Sequence, residues 1–396
     1  MTTAFETLQT AYRRASGVEP GAGAGLVGVV GADVPDELLH AAGLRPLRLR
    51  GAPGEPTPLA DRYVEQAVDP AARSVFDRIL NGTYAGLDRL VLCHDCEATV
   101  RLFYYLRELR RIEPERGLPE LCFVDVLHRP ARTSTVYNID RMAAFRDEVA
   151  RWTGTVLDEQ AVRDAVARCN ERRRLLQRLA HLRRRVPPAL SGAEALAVVG
   201  AGMVMDVAEY LPLLRALCDE RSDTGRDGSA VRLYVTGTAH DHTGLYEAVE
   251  GSGAVIVGEN HDRGDLWAET LVDEEAEPMR ALAVRYQHGA PASAGASIDR
   301  RARHTADAAV SAGAAGVLCF LRRGDNAPYW DVPEQRRLLA AAGIPMLVID
   351  MDTYQPGLSG EQRDAVRSFV AELADAAAGP GRGAGPGRVA YRQVRP

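Results

Sequence analysis

Short apolar runs alternate with stretches of helical spacing along most of the chain. Four runs in the first third have the length and composition of buried strands. They are residues 25–30, 45–50, 87–93 and 120–126. Between the first two, residues 35–43 begin with Pro35 and end with Gly43, as expected of a short helix. This alternation is typical of a parallel sheet covered by helices, so residues 1–157 are predicted to form one α/β domain.

A second series of the same kind follows further along the chain. Its predicted strands are residues 231–237, 253–258, 314–320 and 344–350, and its last predicted helix is 359–376. Residues 226–378 are therefore predicted to form a second α/β domain. The fold class expected is α/β, with two parallel-sheet domains.

The segment between the two series is polar and rich in arginine. Residues 158–185 keep apolar side chains near helical spacing up to Pro187 and Pro188, which predicts an exposed connecting helix within a helical region 158–225. The last residues, 379–396, are rich in glycine, proline and arginine, and they are expected to be a flexible tail.

Composition excludes several classes of function. The 396 residues are 46% hydrophobic and 26% charged with a net charge of -6, which disfavours nucleic acid as a partner. All 48 residues counted as Lys or Arg are arginine, so a Walker A loop or a lysine Schiff base cannot be built. No run is apolar enough for a signal peptide or a membrane span, and we expect a cytoplasmic protein whose six cysteines are thiols or metal ligands.

Ligands of open parallel sheets bind beyond the carboxyl ends of the strands, where the chain carries CHDC. Its Cys93 and Cys96 suit a redox pair or half of a metal site, and two ordinary cysteines are an equal alternative. Three histidines also follow predicted strands, at His240, His242 and His261. They could converge on one metal ion, although loop histidines are more often solvated or capping residues.

Five longer stretches carry a family resemblance. They are GVVGADVPDELLHAAGLRPLRLRG, ARSVFDRILNGTYAGLDRLVLCHDCEATVRLFYYL, RRVPPALSGAE, RLYVTGTAHDHTGLYEAVEGSGAVIVGEN and AGIPMLVIDMD. Together they resemble the 2-hydroxyacyl-CoA dehydratases and benzoyl-CoA reductases, in the order that this family has them and across most of residues 25–375.

The resemblance implies two Rossmann-like or flavodoxin-like domains with a four-iron, four-sulfur cluster between them. It also implies a reductive dehydratase, a lyase or oxidoreductase that acts on an acyl-CoA through a radical. Such enzymes have two related subunits and receive an electron from a separate ATP-dependent activator protein. A partner subunit of the same family, or a second copy of this chain, is therefore expected.

The cluster ligands that the resemblance implies are incomplete in this sequence. Cys96 matches the family's middle cysteine. The first cysteine position falls in VDPAARS, on Asp69 or on the less suitable Ala71 or Ala72, and the last one falls on Gly324. Aspartate is a harder and weaker ligand than thiolate for such a cluster, and glycine offers no ligand atom.

Two hypotheses of different classes follow. In the first, the chain is an enzyme subunit whose cluster is held by Cys96 and Cys93, with Asp69 or a histidine completing the set. In the second, the cluster has been lost, and the fold serves as a partner or scaffold subunit or as a non-redox enzyme.

Overall fold

The computed structural model describes residues 3–14, 17–18, 25–225, 228–289, 294–377 and 391–394. All eight predicted strands are confirmed within these residues, and a ninth is added. The strands are β1 Leu26–Val30, β2 Arg45–Arg48, β3 Arg89–Cys93, β4 Glu120–Val124, β5 Val231–Gly237, β6 Ala254–Glu259, β7 Gly316–Arg322, β8 Met346–Met351 and β9 Tyr391–Val394.

Helices cover both faces of the sheets and fill the region between them. They are α1 Ala4–Arg14, α2 Asp36–Ala41, α3 Pro70–Leu80, α4 Glu97–Ile112, α5 Arg132–Thr153, α6 Glu159–Arg184, α7 Gly192–Gly202, α8 Val207–Arg221, α9 Gly244–Glu250, α10 Pro278–His288, α11 Ile298–Ser311, α12 Asn326–Ala341 and α13 Gly360–Ala377. In the part of the chain that is described, none of them has the length and apolar character needed to cross a membrane.

The strands form two parallel sheets, which confirms the predicted α/β class. Their orders are β2-β1-β3-β4 and β6-β5-β7-β8-β9, and every pairing is parallel. In each sheet the first strand has the second on one side and the third on the other. The direction of strand order therefore reverses between β1 and β3 and again between β5 and β7, and this is where open α/β sheets bind ligands.

The core explains why the strands are apolar along their whole length. In β1, Val27 and Val29 face a cluster that contains Leu38, whereas Leu26 and Val30 face the opposite cluster. Alternate side chains of one strand thus enter two different cores. Both faces of the sheet are covered, and polar positions in the strand would be buried without partners.

The connecting helix α6 has the predicted extent, but the prediction that it is exposed was wrong. Arg173 is ion-paired with Glu37 of the first half, and Arg183 with Glu259 of the second, all four being buried. The helix lies between the two halves, where carboxylates on each side neutralise its arginines. A pattern rich in charge does not distinguish a solvated helix face from one paired across an interface.

Two helices pack away from the sheet that is nearest to them in sequence. Helix α10 packs against α5 and contributes Met279, Leu282 and Tyr286 to the core of the first sheet. Helix α1 packs against α7 and α8 instead of the first sheet. The boundaries proposed after residues 157, 225 and 378 stay predictions.

The segment 379–396 was expected to be a flexible tail, and its described residues differ from that prediction. Residues 391–394 form β9, which pairs with β8 in the register Leu347 to Arg392 and Ile349 to Val394. The Val394 side chain is buried against the second sheet. The strand thus covers the edge of the sheet that β8 would otherwise expose, and it buries one apolar side chain.

Candidate functional site

A cavity of about 820 Å³ lies where the carboxyl ends of the two sheets meet. The loops after β1, β3 and β4 line it from the first sheet, and the loops after β5, β6 and β7 line it from the second. Both positions at which strand order reverses therefore open into one space. The rule for ligand sites in parallel sheets indicates this place.

The residues of CHDC have separate environments. Cys96 begins α4 and lines the cavity, with its Sγ 3.3 Å from Thr99 Oγ1. Cys93 lies beneath the loop after β1, fully buried, where its Sγ accepts a hydrogen bond from Asp33 N at 3.2 Å. His94 is exposed, and its Nδ1 lies 2.7 Å from Asp125 Oδ1. Only one thiol of the motif faces the cavity.

Both thiols are held in their neutral form. Burial raises the pKa of Cys96 and of Cys93 well above the ordinary value, and the charge of Asp95 raises both further. A cluster ligand must be a thiolate, which this environment disfavours.

Asp69 is already bound by protein groups. Arg322 Nε lies 2.6 Å from Asp69 Oδ1 and Arg322 Nη2 lies 2.9 Å from Oδ2, which makes a bidentate ion pair. The same carboxylate caps α3 by accepting from Ala71 N at 3.1 Å. Both carboxylate oxygens are thus used, and the pair joins the first half of the chain to the end of β7.

Gly324 lies directly against this ion pair. Its φ is +87°, a region that side chains rarely adopt, and a Cβ there would lie 2.6 Å from Asp69 N and 2.8 Å from Ala67 O. No cysteine can replace it unless the backbone moves. Cys319, the nearest thiol in sequence, is buried inside β7.

The three histidines do not form one ligand set. His240 and His261 are buried with ring centroids 5.6 Å apart, whereas His242 lies against Tyr354. His261 Nε2 is 2.9 Å from the hydroxyl of Tyr246. Desolvation lowers the pKa of all three, which suits uncharged histidines inside the second half.

The residues present do not fit an iron-sulfur cluster with three protein ligands. Of Cys96, Cys93 and Asp69, Cys96 alone has a free side chain in the cavity, because Cys93 is covered and Asp69 is bound to Arg322. Across the described residues, no group of three His, Cys, Asp or Glu is placed to hold a metal ion.

Several carboxyl groups line the cavity. Burial and the nearby Asp33 and Asp262 raise the pKa of Asp95 to about 6, and its Oδ1 has no hydrogen-bond partner within the residues described. Burial and Asp69 raise the pKa of Asp325 to about 7. Two acids that titrate near neutral pH therefore face one space.

A buried histidine–carboxylate pair also lines the cavity, and sequence reasoning did not identify it. His128 Nε2 lies 2.7 Å from Asp33 Oδ2. Asp33 follows β1 and His128 follows β4, so each stands beyond a strand end. Their position beyond strand ends is the sequence signal that could have identified them. His128 lies four positions after the end of β4, however, and a single histidine in a loop is not a specific signal.

Arginines complete the site. Arg48 is ion-paired with Asp262 and donates to its carbonyl oxygen at 2.8 Å, and Arg263 donates to Leu49 O at 2.6 Å. Arg285 lines the cavity without an ion pair to any carboxylate among the described residues. Arg263 likewise has no ion pair among these residues, but Arg285 also has an Nε without a hydrogen-bond partner, so we take Arg285 as the cation available to an anionic or strongly polar ligand.

Comparison with known proteins gives one consistent result. The family model of the 2-hydroxyglutaryl-CoA dehydratase D-component matches residues 32–373. The chain is 20% identical over 344 residues to the (R)-phenyllactyl-CoA dehydratase beta subunit of Clostridium sporogenes, covering 86% of this chain and 89% of that protein. It is 21% identical over 354 residues to the (R)-2-hydroxyglutaryl-CoA dehydratase subunit beta of Acidaminococcus fermentans, covering 86% and 90%. Similarity to one subunit of the benzoyl-CoA reductase of Thauera aromatica is 22% over 267 residues, covering 64% and 66%.

Proposed function

The chain belongs to the family of the 2-hydroxyglutaryl-CoA dehydratase D-component, and we propose that it is the beta-type subunit of an enzyme acting on a coenzyme A thioester. Its similarity to two beta subunits of acyl-CoA dehydratases, each covered over most of its length, supports this assignment. The subunit would pair with an alpha-type partner of the same family.

The observation that carries the proposal is the cavity between the two sheets. Its volume of about 820 Å³ lies within the range of small-molecule sites, and it stands at both points of strand reversal. An acyl group could enter it, with the unpaired guanidinium of Arg285 available to the thioester oxygen or to a carboxylate of the acyl chain.

The subunit would contribute a substrate-binding wall, and any iron-sulfur cluster of the complex would reside in the partner. This follows from the poor fit of the candidate ligands, because Asp69 and Gly324 pack against one another where two ligands would be needed. The expectation that an ATP-dependent activator serves the complex then concerns the partner subunit.

Association is tested first. The tagged full-length chain is purified anaerobically from its own organism, and its mass in solution is measured by light scattering. We expect a complex whose second chain also matches the dehydratase family. A chain that remains strictly monomeric, both at high concentration and in the native extract, would contradict the proposed role.

Substrate binding is tested by calorimetry with butyryl-CoA, free coenzyme A and butyrate. We expect the thioester to bind more tightly than either part, and Arg285→Gln to weaken its binding. Arg337→Gln is a matched control, because Arg337 is exposed and paired with Glu334 on α12. Equal binding of the thioester and free coenzyme A would place the acyl group outside the cavity and defeat the proposal.

A further inference from the structure

The pair formed by His128 and Asp33 has no role in the function proposed above. His128 is 8% exposed and Asp33 is 2% exposed, yet both line the cavity. Each comes from a different loop, after β4 and after β1. The pair is therefore built by the fold at the carboxyl end of the first sheet, beside the space where a substrate would lie.

The hydrogen bond fixes which nitrogen of the ring can react. His128 Nε2 is 2.7 Å from Asp33 Oδ2, so this nitrogen carries the proton and donates it to the carboxylate. Nδ1 then holds the free electron pair, and it has no hydrogen-bond partner within the described part of the chain. The ring packs closely on Gly295, where a Cβ would come within 2.5 Å of it, so its orientation is restricted.

The guanidinium of Arg285 lines the same cavity as this pair. The Arg285 guanidinium donates to Trp267 O at 3.1 Å and lies 4.4 Å from the centre of the Tyr286 ring, but its Nε has no partner among the residues described. The charge of Asp33 acts on Arg285, which places the two in one electrostatic environment. A base and an unpaired cation beside one cavity are the two groups that enolisation of a carbonyl compound requires.

We propose that His128 is a general base that removes the α-proton of an acyl thioester, with Asp33 as its positioning residue and Arg285 beside the developing enolate oxygen. The inference rests on the proposed function, because it takes the coenzyme A thioester as the ligand. The substrate class is an acyl thioester with hydrogen on its α-carbon.

The step requires no electron donor. The bond between the α-carbon and its hydrogen breaks, and the proton goes to His128 Nδ1. The electron pair of that bond becomes the enolate, whose negative oxygen is stabilised by the guanidinium. Return of a proton from the imidazolium restores the thioester, so in D2O the α-carbon gains deuterium without net reaction.

The surroundings of His128 favour its protonated form. Burial lowers its pKa, but the hydrogen bond and charge of Asp33 outweigh burial, and the net effect raises the pKa above 6.5. Asp95 adds to this rise, whereas Arg300 of α11 opposes it. His288 of α10 is a further titratable neighbour.

The test uses the full chain with any partner subunit that purifies with it. Butyryl-CoA is incubated in D2O, deuterium at the α-carbon is followed by mass spectrometry, and binding is measured in parallel. We expect exchange by the wild type and a loss of about 100-fold or more in His128→Gln. His304→Gln should keep the wild-type rate, because His304 bonds to Glu269 outside the cavity.

Asp33→Asn tests the positioning role and does not depend on the behaviour of His128→Gln. It should slow exchange and move the rise of rate with pH to lower pH, because the imidazolium loses its carboxylate partner. A wild-type complex that binds butyryl-CoA without exchange, or exchange unchanged in His128→Gln, would overturn the inference and leave the proposed function standing. Absence of thioester binding would overturn both.

Discussion

Two buried aspartates at the same cavity, Asp69 paired with Arg322 and Asp33 hydrogen-bonded to His128, are alike in geometry but differ in chemistry. Their shortest contacts are 2.6 Å and 2.7 Å. Each carboxylate belongs to the first half and lies at the end of a structural element. The partners differ, because a guanidinium keeps its charge at any pH a protein meets, whereas an imidazole can lose its proton.

The contrast extends to the remaining hydrogen-bonding groups. Arg322 also donates to Ala239 O at 3.2 Å, and the Asp69 carboxylate accepts from the α3 backbone as well. This pair is saturated and holds two halves of the protein together. His128 retains a free nitrogen, so its pair can exchange a proton with a ligand. An aspartate at this cavity can therefore hold two parts of the protein together, as Asp69 does, or support a histidine base, as we propose for Asp33. We call the pair of Asp69 and Arg322 the clamp.

Breaking the clamp should give the largest effect. Arg322→Ala leaves the buried Asp69 without its counter-charge, and we expect a loss of about 3–5 kcal/mol in the free energy of unfolding. Chemical denaturation measures it. The control is Arg101→Ala, which breaks the exposed pair of Arg101 with Glu97 and should cost about 0.5 kcal/mol or less. Equal losses in the two variants would show that the clamp carries no special stability.

The fold could be predicted well because its signals are local. Apolar runs of strand length and helical spacing between them identify eight strands, and parallel order follows from the alternation. Strand β9 and the burial of α6 could not be predicted in the same way. The first depends on a free sheet edge far away in sequence, and the second on carboxylates in both halves that only the folded chain brings to its arginines.

Gly324→Cys tests whether the clamp region can accept the missing ligand. The backbone at position 324 has a left-handed φ, and a side chain there would meet the backbone of Asp69. We therefore expect a loss of about 2–3 kcal/mol in the free energy of unfolding and no gain of iron. Gly343→Cys is the matched control, since Gly343 has a φ of +72° with open space around its Cβ. Gly343→Cys should lower the free energy of unfolding by about 1–2 kcal/mol. A stable Gly324→Cys protein that binds iron would show that the two loops separate easily.

The candidate site was predicted less completely than the fold. Its location follows from the strand ends, and Cys96 does line the cavity. The sequence could not reveal that Asp69 pairs with Arg322, because the two are 253 positions apart. The pair of Asp33 and His128 was missed for the same reason, at a separation of 95 positions.

Cys96→Ser examines a third feature of the same cavity, the thiol that lines it. If no cluster is held by this chain, the purified wild type and the variant should carry equally little iron and sulfide, and the variant should lose about 1–2 kcal/mol of stability. Cys122→Ser, also a partly buried thiol, is the control. A brown wild-type protein, bleached by dithionite and colourless after the Cys96 substitution, would restore the cluster hypothesis.

The smallest effect concerns the pH dependence of the second pair. The pKa of His128 is raised above 6.5 in the folded protein, so the folded state holds this proton more tightly than the unfolded chain does. Its contribution to stability is therefore complete below pH 6.5 and is lost as pH rises through the folded pKa. We expect the difference in unfolding free energy between wild type and His128→Gln to be larger at pH 6 than at pH 9.

The same measurement on Arg322→Ala should show the opposite trend, because its loss in unfolding free energy should grow between pH 7 and pH 9. Arg322 lowers the pKa of the neighbouring Asp325, so without the guanidinium this buried carboxyl ionises at higher pH and at a greater cost to the folded state. The carboxyls of Asp95 and Asp325 have raised pKa values of about 6 and about 7, so they lower the stability of the folded state as pH rises. In His128→Gln both carboxyls keep their arginine neighbours, so most of their effect cancels in the difference from the wild type. A pH-independent difference for His128→Gln would mean that Asp33 holds the ring without favouring its charge, and the pair would then be a second clamp.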